Sequence, residues 1–193
     1  MTSPPPCPPD ADLRLASLRA RAEAVLGAHV AVGTPLLAAV SGGADSVALV
    51  AALAHRPDYP LVGVAFVDHG LRHVNDERSA AAEAARRAGV PMTVARVELQ
   101  PGNLQARARL ARYQALLSMA RDLDPRALVA TGHTRSDQAE TVLARVLRGS
   151  GVPGLAGMAP RRGRIVRPLI EVSRAETRAL GWPFVDDPSN ESP

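Results

Sequence analysis

The chain reads Leu36-Leu37-Ala38-Ala39-Val40-Ser41-Gly42-Gly43-Ala44-Asp45-Ser46 and continues with the apolar run 47–53. This order predicts a buried strand that turns directly into a helix. Glycines let the backbone close around an anion, consecutive N–H groups point into the turn, and the following helix adds its positive end. The pattern therefore predicts a phosphate-binding loop at 41–46. A plain strand-to-helix turn, with Asp45 or Ser46 as the helix cap, is the alternative.

The basic residues limit how this loop could hold phosphate. None of the 23 basic residues is a lysine, so the Gly-Lys-Ser/Thr sequence of the usual P-loop is absent. Backbone amides, hydroxyls, arginines or a metal ion must then supply the contacts. Because a carboxylate beside bare phosphate would be repelled, we expect Asp45 to contact a metal ion, Mg²⁺.

Size, charge and cysteine content restrict the class of protein. With 193 residues, the chain is long enough for one well-buried domain and too short for two ordinary ones. The net charge of +4 is carried by arginine, which favours contacts with polyanions. The single cysteine, Cys7, excludes a disulfide framework and a thiolate metal cluster. Without a signal-like or membrane-spanning apolar stretch, we expect a cytoplasmic protein with no membrane partner.

The apolar pattern predicts an α/β fold with a parallel twisted sheet covered by helices on both faces. Residues 1–10 form a Pro-rich tail that we expect to be disordered, and residues 11–29 form an amphipathic helix. Residues 11–193 are then one domain, in which 150–193 is a short Gly/Arg-rich α/β extension on the substrate side. The predicted strands are 36–40, 61–67, 92–98, 127–131 and 165–166, and the predicted helices are 45–55, 76–88, 103–121, 136–147 and 173–180.

Polar residues follow two further strands. Ligands of parallel sheets bind beyond the carboxyl ends of the strands, so Asp68 and His69 after the second strand and His133 after the fourth join the candidate site. A turn or capping role is the alternative for His69. Asp137 and Glu140 lie three residues apart and share one face of the predicted helix. With His133, they could bind an ammonium group and manage its proton; Asp137 as a helix-dipole partner is the alternative.

Arginines of the later segments complete the set of candidates. Arg112 lies in the stretch Arg109-Leu110-Ala111-Arg112-Tyr113, which is either a solvated arginine face or a place for contact with phosphate groups. The stretch from Arg148 to Met158 contains repeated glycines, for which a flexible connector is the alternative interpretation. Residues 161–164 (Arg-Arg-Gly-Arg) are expected to form a turn before the strand 165–166.

Six motifs resemble, in order, those of the tRNA(Ile)-lysidine synthetase family among the N-type ATP pyrophosphatases. The loop Ser-Gly-Gly-x-Asp-Ser looks like their PP-loop. The other five motifs are 67–72, 109–113, 132–141, 148–158 and the pair 167–169 with 187–190. The chain departs from the family pattern at Thr134 and Ser136, where a His and an Asp are expected.

The resemblance implies an adenine nucleotide alpha hydrolase-like, Rossmann-like fold and an ATP- and Mg²⁺-dependent ligase. Its implied substrates are free L-lysine and the wobble cytidine in the anticodon region of tRNA(Ile). The implied nucleotide contacts are loop 41–46, Asp68 and His69. The implied catalytic residues are Asp45, Arg112, His133, Asp137 and Glu140. We expect the family's further C-terminal tRNA-binding domains to be absent, and a homo-oligomer stays open.

Other functions remain as alternatives at this stage. Another adenylating tRNA-modification enzyme of the PP-loop superfamily would share the loop. A sulfur-transferring relative is disfavoured, because the sole thiol, Cys7, lies in the Pro-rich tail. A non-catalytic nucleotide- or tRNA-binding module, or a fragment, would bind ATP without turnover.

Overall fold

A computed structural model describes residues 10–68, 74–97, 104–148 and 156–186. The predicted positions His69 and 187–190 and most of the Pro-rich tail lie outside the described residues. The helices are α1 (Ala11–His29), α2 (Ala44–Leu53), α3 (Val74–Ala88), α4 (Leu104–Leu123), α5 (Arg135–Leu147) and α6 (Arg174–Arg178). The strands are β1 (Leu36–Val40), β2 (Leu61–Asp68), β3 (Met92–Arg96), β4 (Leu128–Thr131), β5 (Arg161–Arg162) and β6 (Ile165–Val166).

The strands form one sheet in the order β3-β2-β1-β4-β6-β5. All neighbouring pairs are parallel except β5 and β6, which run antiparallel. The predicted parallel sheet is therefore confirmed. Arg161 and Arg162, expected in a turn, instead pair with Val166 and Ile165 and add a short edge strand.

Helices cover both faces of this sheet, as predicted. Leu36, Ala38 and Val40 of β1 pack with residues of α1, α2, α3 and the segment around α6. Leu37, between them, points to the other face and packs with Leu116 and Ala120 of α4. Alternate side chains of a strand point to opposite faces, so the apolar run at β1 serves both cores.

Helix α1 begins where the sequence predicts, whereas strand β3 is less buried than the sequence predicts. Asp10 precedes α1, and its carbonyl accepts the Arg14 N–H (3.0 Å). β3 is the edge strand at the end of the sheet opposite β5, and its side chains are half-buried or exposed. Across the described ranges, every helix falls short of the length and apolarity needed to cross a bilayer.

Candidate active site

The loops that follow β1 and β4 meet at one cleft. β1 pairs with β2 on one side and with β4 on the other, so the order of the strands reverses at β1. Ligands of open α/β sheets bind at such a switch point. A cavity of about 400 Å³ opens there, and small-molecule sites have volumes of roughly 300–1,000 Å³.

Ser46 holds loop 41–46 in its turn. Its Oγ donates to the Gly43 carbonyl (2.8 Å), accepts the Ser41 N–H (3.2 Å) and lies 3.3 Å from Ser41 Oγ. The Ser46 side chain thus fixes the loop. It is not the N-cap of α2, a role that the sequence allowed for Asp45 or Ser46. The N-cap residue is Gly43, which has no side chain to offer.

The N-terminus of α2 faces the cleft. The first N–H groups of a helix lack intrahelical acceptors, and the helix dipole places partial positive charge there. Five loop residues line the cavity: Ser41, Gly43, Ala44, Asp45 and Ser46. Gly42 lies behind them, against α3, where a Cβ would stand 2.6 Å from the Cα of Glu77. This arrangement suits a phosphate group at the helix N-terminus.

Gly132 brings the end of β4 against the first turn of α2. A Cβ at this position would lie 2.8 Å from the carbonyl oxygen of Asp45 and 3.0 Å from the Cα of Ser46. A larger residue would push the two loops apart. The glycine therefore sets the separation between the phosphate loop and the residues that follow β4.

His133 is a neutral histidine at neutral pH. Burial, followed by the charges of Arg167, Arg109 and Arg112, lowers its pKa to about 4, against the opposing effect of Asp137. Its Nδ1 lies 2.8 Å from the Thr131 hydroxyl. A group with so low a pKa is a poor acceptor for the proton of an alkylammonium ion. The geometry favours His133 as a hydrogen-bonding group that orients a substrate.

This depressed pKa predicts a stability effect. Between about pH 6.5 and 4, this histidine is protonated in the unfolded chain but neutral in the folded chain. The free energy of unfolding therefore decreases as pH falls from about 6.5 to 4. We expect His133→Asn to flatten this loss by up to about 3 kcal/mol. Urea unfolding of both proteins at several pH values measures it. Parallel pH dependence in wild type and variant would contradict the assignment.

Asp137 has two partners in two directions. Its Oδ2 accepts the Thr134 N–H (2.6 Å) and the Thr134 hydroxyl (2.8 Å), which caps α5. Its Oδ1 lies 3.1 Å from Nη2 of Arg174. Asp137 therefore stabilises the N-terminus of α5 through one oxygen and contacts Arg174 through the other, and its binding of an ammonium group stays a prediction.

Arg174, at the start of α6, joins three carboxylates. Its Nε lies 3.4 Å from Oδ2 of Asp45, and its Nη1 lies 3.1 Å from Oε1 of Glu140. The contact with Asp137 completes the set. Burial works to lower the pKa of Arg174, and the three carboxylates outweigh it and raise the pKa. The guanidinium is therefore charged and holds the acidic side chains of α2 and α5 together.

Asp45 is the candidate metal ligand. Burial is the largest influence on its pKa and raises it, against the hydrogen bond from the Thr177 hydroxyl and the charge of Arg174. A desolvated carboxylate gains from a nearby cation. Among the described residues, no group of three or more acidic, histidine or cysteine side chains is placed to hold a metal. Both Asp45 oxygens also have donors, Thr177 and Arg174, so the described residues offer Mg²⁺ one shared carboxylate, and phosphate oxygens and water would supply its other ligands.

The structure brings together many of the residues predicted from sequence. Arg112, His133 and Asp137 line the cavity with the loop, and Glu140 joins them through Arg174. Asp68 ends β2, where its carbonyl accepts the Val97 N–H (2.8 Å), and it is not among the residues that line the cavity.

Arg174 and Thr177 were missed by the sequence reasoning. Ser173 and Glu176 form a capping box at the start of α6. The sequence Ser-x-x-Glu is typical of such a box. An arginine in the first turn of a helix faces the positive end of the dipole, an unfavourable place for a cation. That placement is the local signal that Arg174 is stabilised by acidic groups from elsewhere in the chain.

Comparison with known proteins defines the class. The PP-loop domain family matches residues 18–193, and the chain belongs to this family. It is similar to proteins named tRNA(Ile)-lysidine synthase. The one from Salinispora tropica is 48% identical, over 82% of this chain and 52% of the relative. The one from Bordetella bronchiseptica is 42% identical, over 97% of this chain and 59% of the relative. The chain thus spans somewhat more than half the length of these relatives.

Solved structures support the fold. The ammonia-dependent NAD synthetase from Campylobacter jejuni aligns with a TM-score of 0.53 and 17% identity, over 89% of this chain and 72% of that chain. The glutamine-dependent NAD synthetase from Acinetobacter baumannii aligns with the same TM-score and identity, over 93% and 34%. At this identity, the similarity concerns the fold alone.

Proposed function

We propose that this protein joins L-lysine to the wobble cytidine of an isoleucine tRNA at the expense of ATP. The observation that carries the proposal is the meeting of loop 41–46 with His133 and Asp137 at one cleft, to which Arg174 connects Glu140. The acidic side chains that we propose to attract an amine thus lie next to the loop that we propose to bind phosphate. The similarity to proteins named tRNA(Ile)-lysidine synthase supports the choice of substrates.

The reaction has two steps whose nucleophiles are both substrates. The C2 carbonyl oxygen of cytidine attacks the α-phosphorus of ATP, the bond to the β-phosphate breaks, and pyrophosphate leaves. The lysine side-chain amine then attacks C2, loses a proton, and expels AMP. The protein supplies no covalent nucleophile; it contributes position and charge, and such positioning is worth effective molarities of about 10⁵ M or more.

The chain's residues divide between the two substrates. The amides and hydroxyls of loop 41–46 and the N-terminus of α2 bind the phosphates. Arg112 lies in the same cavity and supplies positive charge for a phosphate of ATP or tRNA. Asp68 and His69 are proposed to lie beside the adenosine. Glu140 and Asp137 attract the lysine ammonium, while neutral His133 orients it.

The proposed partners are the anticodon region of tRNA(Ile) and free L-lysine. A cytoplasmic location follows from these substrates and stays a proposal. The anticodon bases are single-stranded and can be reached without opening a duplex. The arginine-rich composition favours contacts with the tRNA backbone.

Mg²⁺, when bound, neutralises charge on the phosphates and on the departing pyrophosphate. Asp45 is the residue we propose to hold it. We expect Asp45→Asn, which preserves shape, to lower pyrophosphate release about tenfold and to raise the Mg²⁺ concentration needed for half-maximal rate. A Mg²⁺ titration of pyrophosphate release measures both effects. An unchanged titration curve would remove Asp45 as the ligand.

The direct test mixes the protein with ATP, Mg²⁺, an unmodified tRNA(Ile) transcript and L-lysine. We expect pyrophosphate release that depends on tRNA and AMP release that depends on lysine. Omission of each component is the control. ATP binding in calorimetry without either release would favour a nucleotide-binding module instead of a ligase.

A further inference from the structure

The position of Arg174 is fixed by the chain around it. Its backbone N–H donates to Ser136 Oγ (3.3 Å), which attaches the start of α6 to α5. Thr177, 2% exposed, donates its hydroxyl to Oδ1 of Asp45 and attaches the same short helix to α2. Arg21 of α1 pairs with Glu176 on the outer side. The guanidinium therefore extends from an anchored helix instead of a free loop.

Among the described residues, hydrogen bonds reach five of the six carboxylate oxygens of the cluster. Both oxygens of Asp45 have donors, Thr177 and Arg174, and both oxygens of Asp137 have donors, Thr134 and Arg174. Glu140 gives only Oε1 to Arg174. Within the described part of the chain, its Oε2 has no hydrogen-bond donor, and its side chain is 63% exposed.

The cluster keeps negative charge after Arg174 is counted. Three carboxylates surround one guanidinium, so the cluster keeps a net negative charge that attracts further cations when all three carboxylates are ionised. Because each nitrogen of the fork contacts a different carboxylate, the guanidinium also fixes the acidic groups relative to one another. Asp45 lies at the phosphate loop, whereas Glu140 lies one turn into α5. Arg174 is thus the side chain that connects the two halves of the cleft.

We propose that Arg174 is a positioning residue that directs the free oxygen of Glu140 towards an alkylammonium substrate while it holds Asp45 at the phosphate loop. The proposal rests on the ligase function above and deepens it. Glu140 then receives the amine directly, and Asp137, whose two oxygens accept hydrogen bonds from Thr134 and Arg174, attracts it by its negative charge. The distance between Glu140 and the phosphate loop then depends on Arg174, in addition to the close contact at Gly132.

The test compares Arg174→Ala and Arg174→Lys with wild type in lysine-dependent AMP release. We expect both variants to raise KM for lysine and lower kcat, each about tenfold or more, while Kd for ATP changes less than about threefold. Arg174→Lys should restore little of this activity, because an ammonium group cannot donate to three carboxylates in the fixed directions of a guanidinium. Millimolar guanidinium ion should restore part of the activity of Arg174→Ala, which a folding defect would not permit.

Two controls separate positioning from structure. Arg126→Ala removes an arginine whose partner, Asp124, lies on the surface, and it should behave as wild type. Glu176→Gln weakens the cap and the outer anchor of α6 but keeps Arg174. It should lower stability and change KM for lysine less than about threefold, because the contacts with Ser136 and Asp45 still hold α6. If Arg174→Ala matches Arg126→Ala, or if Glu176→Gln reproduces its defect and guanidinium rescues neither, the proposal is overturned.

A second measurement does not need the ligase reaction. If wild type releases no AMP with lysine, the proposed function fails, and the positioning role is judged from n-butylammonium binding in calorimetry. We expect wild type to bind this probe at least about tenfold more tightly than Arg174→Ala and Glu140→Gln. Equal affinity in the three proteins would overturn the role of Arg174.

Discussion

Gly42→Ala is expected to destabilise the protein by about 3 kcal/mol or more and to abolish ATP binding. Gly42 has a φ of +88°, which costs an alanine roughly 1–2 kcal/mol. An added Cβ would also lie 2.6 Å from the Cα and 2.7 Å from the carbonyl oxygen of Glu77. Backbone atoms of α3 cannot rotate away as a flexible side chain can, so loop 41–46 must shift.

Gly33→Ala is the matched control for this prediction. Gly33 has a similar φ of +79°, and a Cβ there would have no atom within 4 Å. It should therefore lose only the conformational part, roughly 1–2 kcal/mol, and bind ATP as wild type does. Urea unfolding and ATP titration by calorimetry measure both variants. Equal losses of stability, or ATP binding retained by Gly42→Ala, would show that the contact with α3 does not hold the loop.

The sequence predicts the elements of the fold because their signals are local. The apolar run 36–40 becomes β1 with the same bounds, and the periodicity of 11–29 becomes α1. The order of the strands in the sheet was not predicted, because the general rules for parallel sheets restrict the connections without fixing one order. The antiparallel pairing of Arg161 and Arg162 has no such signal, because two arginines before a glycine read equally well as a turn.

The site is predictable in its parts but not in its connections. Loop 41–46 and the residues after β4 were identified from polar residues at strand ends, and they meet as expected. Arg174 and Asp45 are 129 positions apart, and no periodicity relates them. The double use of Asp137 is also a tertiary fact, since its second oxygen depends on where α6 packs. Local patterns thus indicate which residues matter, whereas long-range packing decides what each of them contacts.

A variant of Asp137 can distinguish an effect on lysine from an effect on ATP. Alanine at this position would also remove the cap of α5, at a cost of about 1 kcal/mol. Asp137→Asn avoids this, because the amide oxygen can still accept the Thr134 N–H while the charge that attracts an ammonium group and pairs with Arg174 is lost. The variant therefore tests charge with little change in shape.

Asp137→Asn is expected to lower lysine-dependent AMP release at least about 100-fold, which corresponds to about 2.7 kcal/mol of transition-state stabilisation. The Kd for ATP should change less than about threefold, because loop 41–46 is unchanged. A tenfold change in Kd would require the loss of about 1.4 kcal/mol of binding free energy. Asp124→Asn is the matched control, because Asp124 also accepts a backbone N–H and pairs with an arginine, Arg126, at the surface. A wild-type rate of AMP release in Asp137→Asn, or an equal loss in Asp124→Asn, would remove Asp137 from the amine-binding group and leave it as the cap of α5.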